Sequence, residues 1–150
     1  MYKLKQQNYE FGFNNENIIL NKLKKLGDIE TFDRYYTYDF RMNICNMDCL
    51  IELKSRNISS SKYPDTMIGL NKLKNEIIDI EHKKNPEIRV MLIFKFSDKT
   101  LMKILRYNKI DEFIAKCKVK DFTSIYNKSS TAPYLYIPIA LLDTWHFLND

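Results

Sequence analysis

The fold is decided by residues 38–54, which read YDFRMNICNMDCLIELK. Two runs of high strand propensity flank residues 44–47, which predict a turn. In an antiparallel hairpin closed by that turn, the numbers of paired residues sum to 91, so Asp39 lies opposite Glu52. Because side chains alternate along a strand, one face of this hairpin is apolar, and that face supports the same register independently of the acids. Its residues are Phe40, Met42, Cys49, Ile51 and Leu53.

The other face of the predicted hairpin is charged. Asp39 and Glu52 would have Cβ atoms about 4.5–5.5 Å apart, and two negative charges at that separation repel each other. A divalent cation would compensate, because Mg²⁺ binds one or two carboxylates together with water and phosphate oxygens. Lys54 lies on the same face, about 6–7 Å beyond Glu52 along the strand. Its ammonium group could orient an attacking water, lower the pKa of that water, or neutralise the charge that develops on phosphorus.

This arrangement resembles the PD-(D/E)XK phosphodiesterase superfamily, since Asp39 is followed after twelve residues by Glu52-Leu53-Lys54. The spacing is similar to that of the archaeal-type Holliday-junction resolvases. The resemblance implies an α/β fold with a mixed sheet, in which a restriction-endonuclease-like αβββαβ core covers about residues 14–96. Residues 97–150 would then be a family-specific part with extra C-terminal strands, within a single domain over 1–150.

The resemblance also implies roles for individual residues. Asp39 and Glu52 would bind Mg²⁺ or Mn²⁺, and Lys54 would be catalytic. A glutamate of the first helix is often a further metal contact in this superfamily, and Glu16 holds that position. A residue on the helix after the motif often faces the phosphate, which nominates Lys72 as a fourth catalytic residue, with Tyr63 as a weaker candidate. One departure is Tyr38, which stands where the name-giving Pro would be.

The remaining elements follow from periodicity and from capping and turn residues. A second helix is predicted from Asp65 or Thr66 up to Pro86, with an apolar stripe of Leu70, Leu73, Ile77 and Ile80. The segment 110–119 is compatible with either a helix or a strand, and 121–133 is expected to be irregular. A strand over 134–142 requires Pro138 to lie at a sheet edge or a bulge. The other predicted elements are a helix over 14–26 and strands over 29–38, 39–43, 48–55, 90–94 and 100–107.

Length and composition define the broad class. The chain has 150 residues, 45% hydrophobic and 29% charged, which suits one compact domain and is short for two. With Gly 3 and Pro 4, collagen-like and Gly/Pro-rich disordered classes are excluded. No apolar run approaches the roughly 18 residues that span a bilayer, and the N-terminal residues lack the apolar stretch of a signal peptide. We therefore expect an intracellular protein, cytoplasmic or nuclear, with no membrane partner.

The cysteines and histidines do not predict a metal centre or a disulfide framework. Three cysteines, Cys45, Cys49 and Cys117, are an odd number in a chain without a secretory signal, which favours reduced thiols. Cys45 and Cys49 could be combined with His82 and His146 on paper. A single C-x3-C without a second cluster at finger spacing is, however, a weak zinc pattern.

The charged face also admits a plain structural interpretation, namely a solvated hairpin face with a cross-strand salt bridge. Asp33 and Asp48 are rival metal ligands. A second Glu-x-Lys triplet, Glu81-His82-Lys83, lies on a predicted helix, where residues i and i+2 do not share a face. The triplet of the hairpin is therefore informative only through its strand context and the facing Asp39.

The sequence predicts a Mg²⁺-dependent DNA endonuclease. The net charge of +5 and the pI near 9.0 fit a nucleic-acid partner, double-stranded or branched DNA in particular. Cutting both strands of such a substrate commonly requires a two-fold dimer, so a homodimer is expected. Two alternatives remain open at this point: a catalytically inactive nucleic-acid-binding or assembly module of the same fold, and an RNA endonuclease that uses the same site.

Overall fold

The computed structural model describes residues 14–33, 36–123 and 131–150. Its helices are α1 over 14–23, α2 (Glu76–Lys84), α3 (Ile110–Ala115) and α4 (His146–Asn149), with 3-10 turns at Leu70–Lys72, Tyr107–Lys109 and Ile139–Leu141. Its strands are β1 (Ile29–Thr31), β2 (Phe40–Ile44), β3 (Met47–Ser55), β4 (Asp65–Gly69), β5 (Arg89–Lys95), β6 (Thr100–Arg106), β7 (Lys118–Thr123), β8 (Thr131–Pro138) and β9 (Asp143–Thr144).

The described strands form two sheets, which gives the mixed α+β class that the sequence predicts. The larger sheet has six strands in the order β1-β2-β3-β5-β6-β9, and its only parallel pair is β3 with β5. The smaller sheet is antiparallel, in the order β4-β8-β7. The order α1, β1, β2, β3, α2, β5 reproduces the predicted αβββαβ core, with β4 inserted before α2. Of the described helices, none has the length and apolar character needed to span a bilayer.

The β2–β3 hairpin has the predicted register. Met42 pairs with Cys49 and Arg41 with Leu50, so the paired numbers sum to 91. The turn itself is shorter than predicted, because only Cys45 and Asn46 lie outside the strands. Both have positive φ values, of 51° and 64°, as a two-residue hairpin turn matching the strand twist requires.

Apolar side chains cover the larger sheet on both faces. On one face, Ile19 and Leu23 of α1 pack against the predicted apolar set of the hairpin, which is buried throughout. On the other face, Leu50 lies in a second cluster with Ile78 of α2 and Leu135 of β8. The interpretation of this second face as a solvated surface is therefore wrong for Glu52, whereas Arg41 and Asp48 form a partly solvated cross-strand salt bridge. The charged residues of this face lie at the edge of the second hydrophobic cluster.

The predicted long helix over 65–86 is wrong in its first half. Residues Asp65–Gly69 form β4, because Thr66 and Ile68 alternate into the core while their backbones pair with β8. Helix α2 begins only at Glu76, where the Asn75 side chain accepts a hydrogen bond from the Ile78 backbone N–H at 2.9 Å. The predicted stripe is also shifted in α2: Ile80 is 50% exposed, and the buried residue is Ile78.

In the C-terminal third, the structure resolves one ambiguous segment and corrects another. The ambiguous segment 110–119 divides into helix α3 and the start of β7. The segment predicted to be irregular, 121–133, contributes to β7 and β8, with its residues 124–130 outside the described part. Pro138 is the last residue of β8, where β8 pairs with β4 alone because its pairing with β7 ends at Tyr136. It therefore lies at a local sheet edge, as predicted. The predictions of a buried strand over 90–94 and of its hairpin partner are likewise confirmed by β5 and β6.

Candidate active site

The first acid of the site, Asp39, lies immediately before β2. Its backbone N–H donates to the Ile51 carbonyl at 2.9 Å, which continues the hairpin by one more hydrogen bond. Its carboxylate oxygen Oδ2 accepts the Leu53 backbone N–H at 2.7 Å. Both bonds reach the residues that flank Glu52, so Asp39 is held beside that glutamate on the neighbouring strand.

The second acid, Glu52, is buried near the end of β3, where only 2% of its side chain is exposed. Its Oε1 lies 3.3 Å from Nζ of Lys54, and its Oε2 lies 3.5 Å from Nζ of Lys72. Despite this ion pair, Oε2 has no hydrogen-bond partner. A buried carboxylate oxygen without a donor is costly, and such an atom indicates a place for a further ligand.

Lys72 reaches the site from a different element than predicted, since it lies on the 3-10 turn between β4 and α2. Its Nζ donates to the Thr37 carbonyl at 2.7 Å. The hydroxyl of Tyr38 donates to the Lys72 carbonyl at 2.9 Å and accepts from the Asn75 side chain at 2.8 Å. Buried Tyr38 thus ties the turn that carries Lys72 to the segment that carries Asp39.

Glu16 lies on α1 and is exposed as a residue. Partial burial of its carboxyl group nevertheless raises the pKa of Glu16 to about 7, and the negative charges of Asp39 and Glu52 contribute to that rise while Lys54 opposes it. Among the described residues, no group of three His, Cys, Asp or Glu side chains is arranged to hold a metal ion. The role of Glu16 as a third metal ligand beside Asp39 and Glu52 stays a prediction.

The electrostatics of the two strand acids favour an added positive charge. Burial raises the pKa of Asp39, against the opposing effects of the Leu53 hydrogen bond and of the two lysines. Burial likewise raises the pKa of Glu52, and the charge of Asp39 adds to this effect. A divalent cation would stabilise both carboxylates and would satisfy the unpartnered Oε2 of Glu52. Asp39 and Glu52 thus fit a Mg²⁺ ion that keeps several waters, in keeping with the two-carboxylate sites this ion accepts.

A cavity of about 710 Å³ opens next to these groups. Lys54 and Lys72 line its wall, and Tyr63, which is 54% exposed, lies at its opening. Glu52 is paired to both lysines and lies behind them. The structure thus brings together Asp39, Glu52, Lys54 and Lys72. The other residues that line the cavity are Arg56, Ile58, Asp65, Thr66, Met67, Ile68, Gly69, Asn71, Tyr134 and Tyr136.

The rival acids lie elsewhere. Asp48 is at the turn end of the hairpin, where Arg41 donates to both of its carboxylate oxygens at 2.9 and 2.7 Å. These hydrogen bonds hold the pKa of Asp48 below its usual range. Asp33 is exposed after β1. The cysteines are free: Cys45 is exposed in the turn, whereas Cys49 is buried under α1.

Three of the cavity residues that sequence reasoning missed bear on its chemistry. Arg56 follows Lys54 by two positions, so the alternation that linked Glu52 to Lys54 could have predicted it. Its guanidinium donates to the Met67 carbonyl and bridges the end of β3 to β4, and burial lowers its pKa. Tyr134 and Tyr136 come from β8, and nothing local in the sequence indicates that this strand pairs with β4.

Comparison with known proteins gives a likeness of fold to a solved structure. No protein-family model and no curated protein matches the chain. Among solved structures, the chain is similar to Hjc of the hyperthermophilic archaeon Archaeoglobus fulgidus, a Holliday junction resolvase, with a TM-score of 0.48. The sequences are 9% identical, over 86% of this chain and 94% of that chain. The functional assignment therefore depends on the chemistry of the site itself.

Proposed function

We propose that this protein is a metal-dependent nuclease of the PD-(D/E)XK type that hydrolyses phosphodiester bonds in DNA. The observation that carries the proposal is the convergence of Asp39, Glu52 and two lysines beside an open cavity, with one buried Glu52 oxygen lacking a hydrogen-bond partner. In a salt bridge that only stabilises the fold, the positive partner would lower the pKa of the acid. Here burial instead raises the pKa of both Asp39 and Glu52. Such perturbed acids are typical of functional sites.

Each residue has a distinct role in this proposal. Asp39 and Glu52 would hold Mg²⁺ or Mn²⁺, which when bound supplies a more acidic water and a positive charge beside the phosphate. Lys54 lies 3.3 Å from Glu52 and lines the cavity, and its ammonium group would donate to the attacking water. Lys72 lines the same wall and would neutralise a non-bridging phosphate oxygen. Its hydrogen bond to Thr37 keeps the ammonium group in position.

The net charge of +5 supports a polyanionic substrate. We take that substrate to be double-stranded or branched DNA, cut by a homodimer that presents two sites. An intracellular location, cytoplasmic or nuclear, belongs to the same proposal.

The test is cleavage of plasmid, branched DNA and RNA by the full chain, with Mg²⁺ and with EDTA. We expect Mg²⁺-dependent cleavage of DNA that Asp39→Asn and Glu52→Gln abolish. The matched control is Glu87→Gln, an exposed glutamate just before β5, which should cleave like the wild type. Cleavage of RNA alone would change the substrate to RNA. Binding without any cleavage would refute the nuclease and favour the inactive binding module.

A further inference from the structure

The cavity beside the two lysines is lined by three tyrosines. Tyr134 and Tyr136 share one face of β8, because Leu135 between them is fully buried in the core. Tyr63 lies on the loop before β4 and is 54% exposed. A large exposed aromatic ring has no structural explanation in the core packing, and aromatic rings that face an open cavity offer surfaces for stacking.

Positive charges accompany these rings. Nζ of Lys62 lies 5.7 Å from the ring centroid of Tyr63, and Nζ of Lys120 lies 5.4 Å from that of Tyr136. Tyrosines with adjacent ammonium groups form the combination that binds single-stranded nucleic acid, in which bases stack on rings while cations hold the phosphates. These tyrosines and their lysines thus extend the positively charged wall formed by Lys54 and Lys72 away from the two acids.

The interior of the cavity is suited to a base. Ile58 and Met67 supply apolar surface, and Asn71 supplies a polar group. Its volume of about 710 Å³ falls within the usual range for small-ligand sites. In a duplex the faces of the bases are covered by their neighbours, so only an unstacked base can place its face against a ring inside a cavity.

We propose that this cavity binds an unpaired base of the nucleic-acid substrate. Since the cavity shares Lys54 and Lys72 with the catalytic site, this base belongs to a nucleotide adjacent to the phosphate that is cut. The preferred substrate is then DNA with unpaired nucleotides at the cut, such as a gap, a flap or an open branch point. Calling this nucleic acid a substrate rests on the proposed nuclease function, but the binding of the base does not require hydrolysis.

The test measures binding by the full chain in EDTA, with fluorescence anisotropy of a labelled single-stranded oligonucleotide and of a duplex of equal length. We expect Tyr63→Ala and Tyr136→Ala each to weaken single-strand binding by roughly 5- to 150-fold, the effect of losing one base–aromatic stack. Duplex binding should change little. Tyr63→Phe should retain single-strand binding, because the ring is kept. The matched control is Tyr107→Ala. The Tyr107 ring does not line this cavity and stacks instead on His82, with 3.9 Å between the ring centroids.

Two results would overturn the inference: unchanged single-strand affinity in both alanine variants, or equal losses for single strand and duplex. Because Tyr63 is exposed, its replacement by alanine should not unfold the protein, so a loss of affinity cannot be attributed to unfolding. A thermal unfolding measurement checks this directly. Because the assay contains no divalent cation, a wild type that fails to cleave in Mg²⁺ would refute the nuclease proposal without altering the binding result.

Discussion

The two ends of the β2–β3 hairpin carry the same kinds of charged side chain, but these differ in burial and in hydrogen bonding. At the turn end, Arg41 donates to Asp48 at 2.9 and 2.7 Å and to Glu81 at 2.8 Å. Asn85 adds a bond to Asp48 at 3.2 Å. Both Arg41 and Asp48 are partly solvated, and their hydrogen bonds lower the pKa of Asp48 and raise the pKa of Arg41.

At the open end, Glu52 is almost fully buried and its ion pairs, at 3.3 and 3.5 Å, leave Oε2 without a hydrogen bond. Its pKa and that of Asp39 are raised by burial. Residue type and strand position therefore do not by themselves identify a reactive site. Burial and unmet hydrogen-bonding capacity separate the acids available for chemistry from those that hold the fold together.

Replacing an acid at the open end should have the largest effect. Glu52→Gln keeps the shape of the side chain and removes a negative charge that the metal requires, so we expect cleavage to fall by about 10³-fold or more. Asp48→Asn makes the same kind of change at the turn end and should leave the cleavage rate per folded molecule unchanged. Initial rates on plasmid DNA, with saturating Mg²⁺, measure both. Equal losses in the two variants would contradict the distinction between the ends.

Replacing the lysine of the open end separates turnover from binding. Lys54→Ala should keep the fold and most of the DNA affinity, because many surface cations contribute to affinity, while turnover falls by about 10²-fold. Single-turnover rates and anisotropy measure the two quantities. Lys99→Ala, in the exposed turn between β5 and β6, is the matched control. Unchanged turnover of the Lys54 variant would remove this lysine from the mechanism.

The same two acid variants should affect stability in the reverse order. Asp48→Asn weakens a bidentate, partly solvated salt bridge and should lower the free energy of unfolding by about 1–2 kcal/mol. Glu52→Gln should not lower it, because the raised pKa means that folding favours the neutral carboxyl over the charged one. Urea denaturation at neutral pH without metal tests this. Substantial destabilisation by Glu52→Gln alone would show that Glu52 serves the fold.

The smallest expected effect concerns pH. The pKa of Glu16 rises from its ordinary 4.5 to about 7 in the folded chain. Between these pH values the folded chain binds a proton that the unfolded chain has released, so this group makes stability fall as pH rises through that interval. Glu16→Gln should therefore show a smaller loss of Tm between pH 5 and 8 than the wild type, measured in EDTA. Identical profiles would place the Glu16 carboxyl in solvent, away from the two strand acids.

The sequence predicts well what depends on local pairing. The register of the hairpin follows from its alternating apolar face and a short turn, so the approach of Asp39 to Glu52 could be predicted before any tertiary structure was known. The central strand β5 was equally predictable, because an unbroken apolar run requires cover on both faces.

The cavity was not predictable for the opposite reason. Its far wall depends on β4, which pairs Ile68 with Leu135 across a long separation in sequence. Helical periodicity after Gly69 suggested that α2 began earlier, and tertiary pairing overrode that preference. Consequently the sequence places Lys72 on the wrong element, and its catalytic role stays a prediction, while Tyr134 and Tyr136 have no local signal at all.

The most direct measurement of the central claim is the anomalous scattering of manganese in crystals of the full chain grown with Mn²⁺. We expect a peak between the carboxylates of Asp39 and Glu52, absent in Glu52→Gln crystals, and no peak at Asp48. No peak between the two strand acids, or a peak at Asp48 in its place, would contradict it.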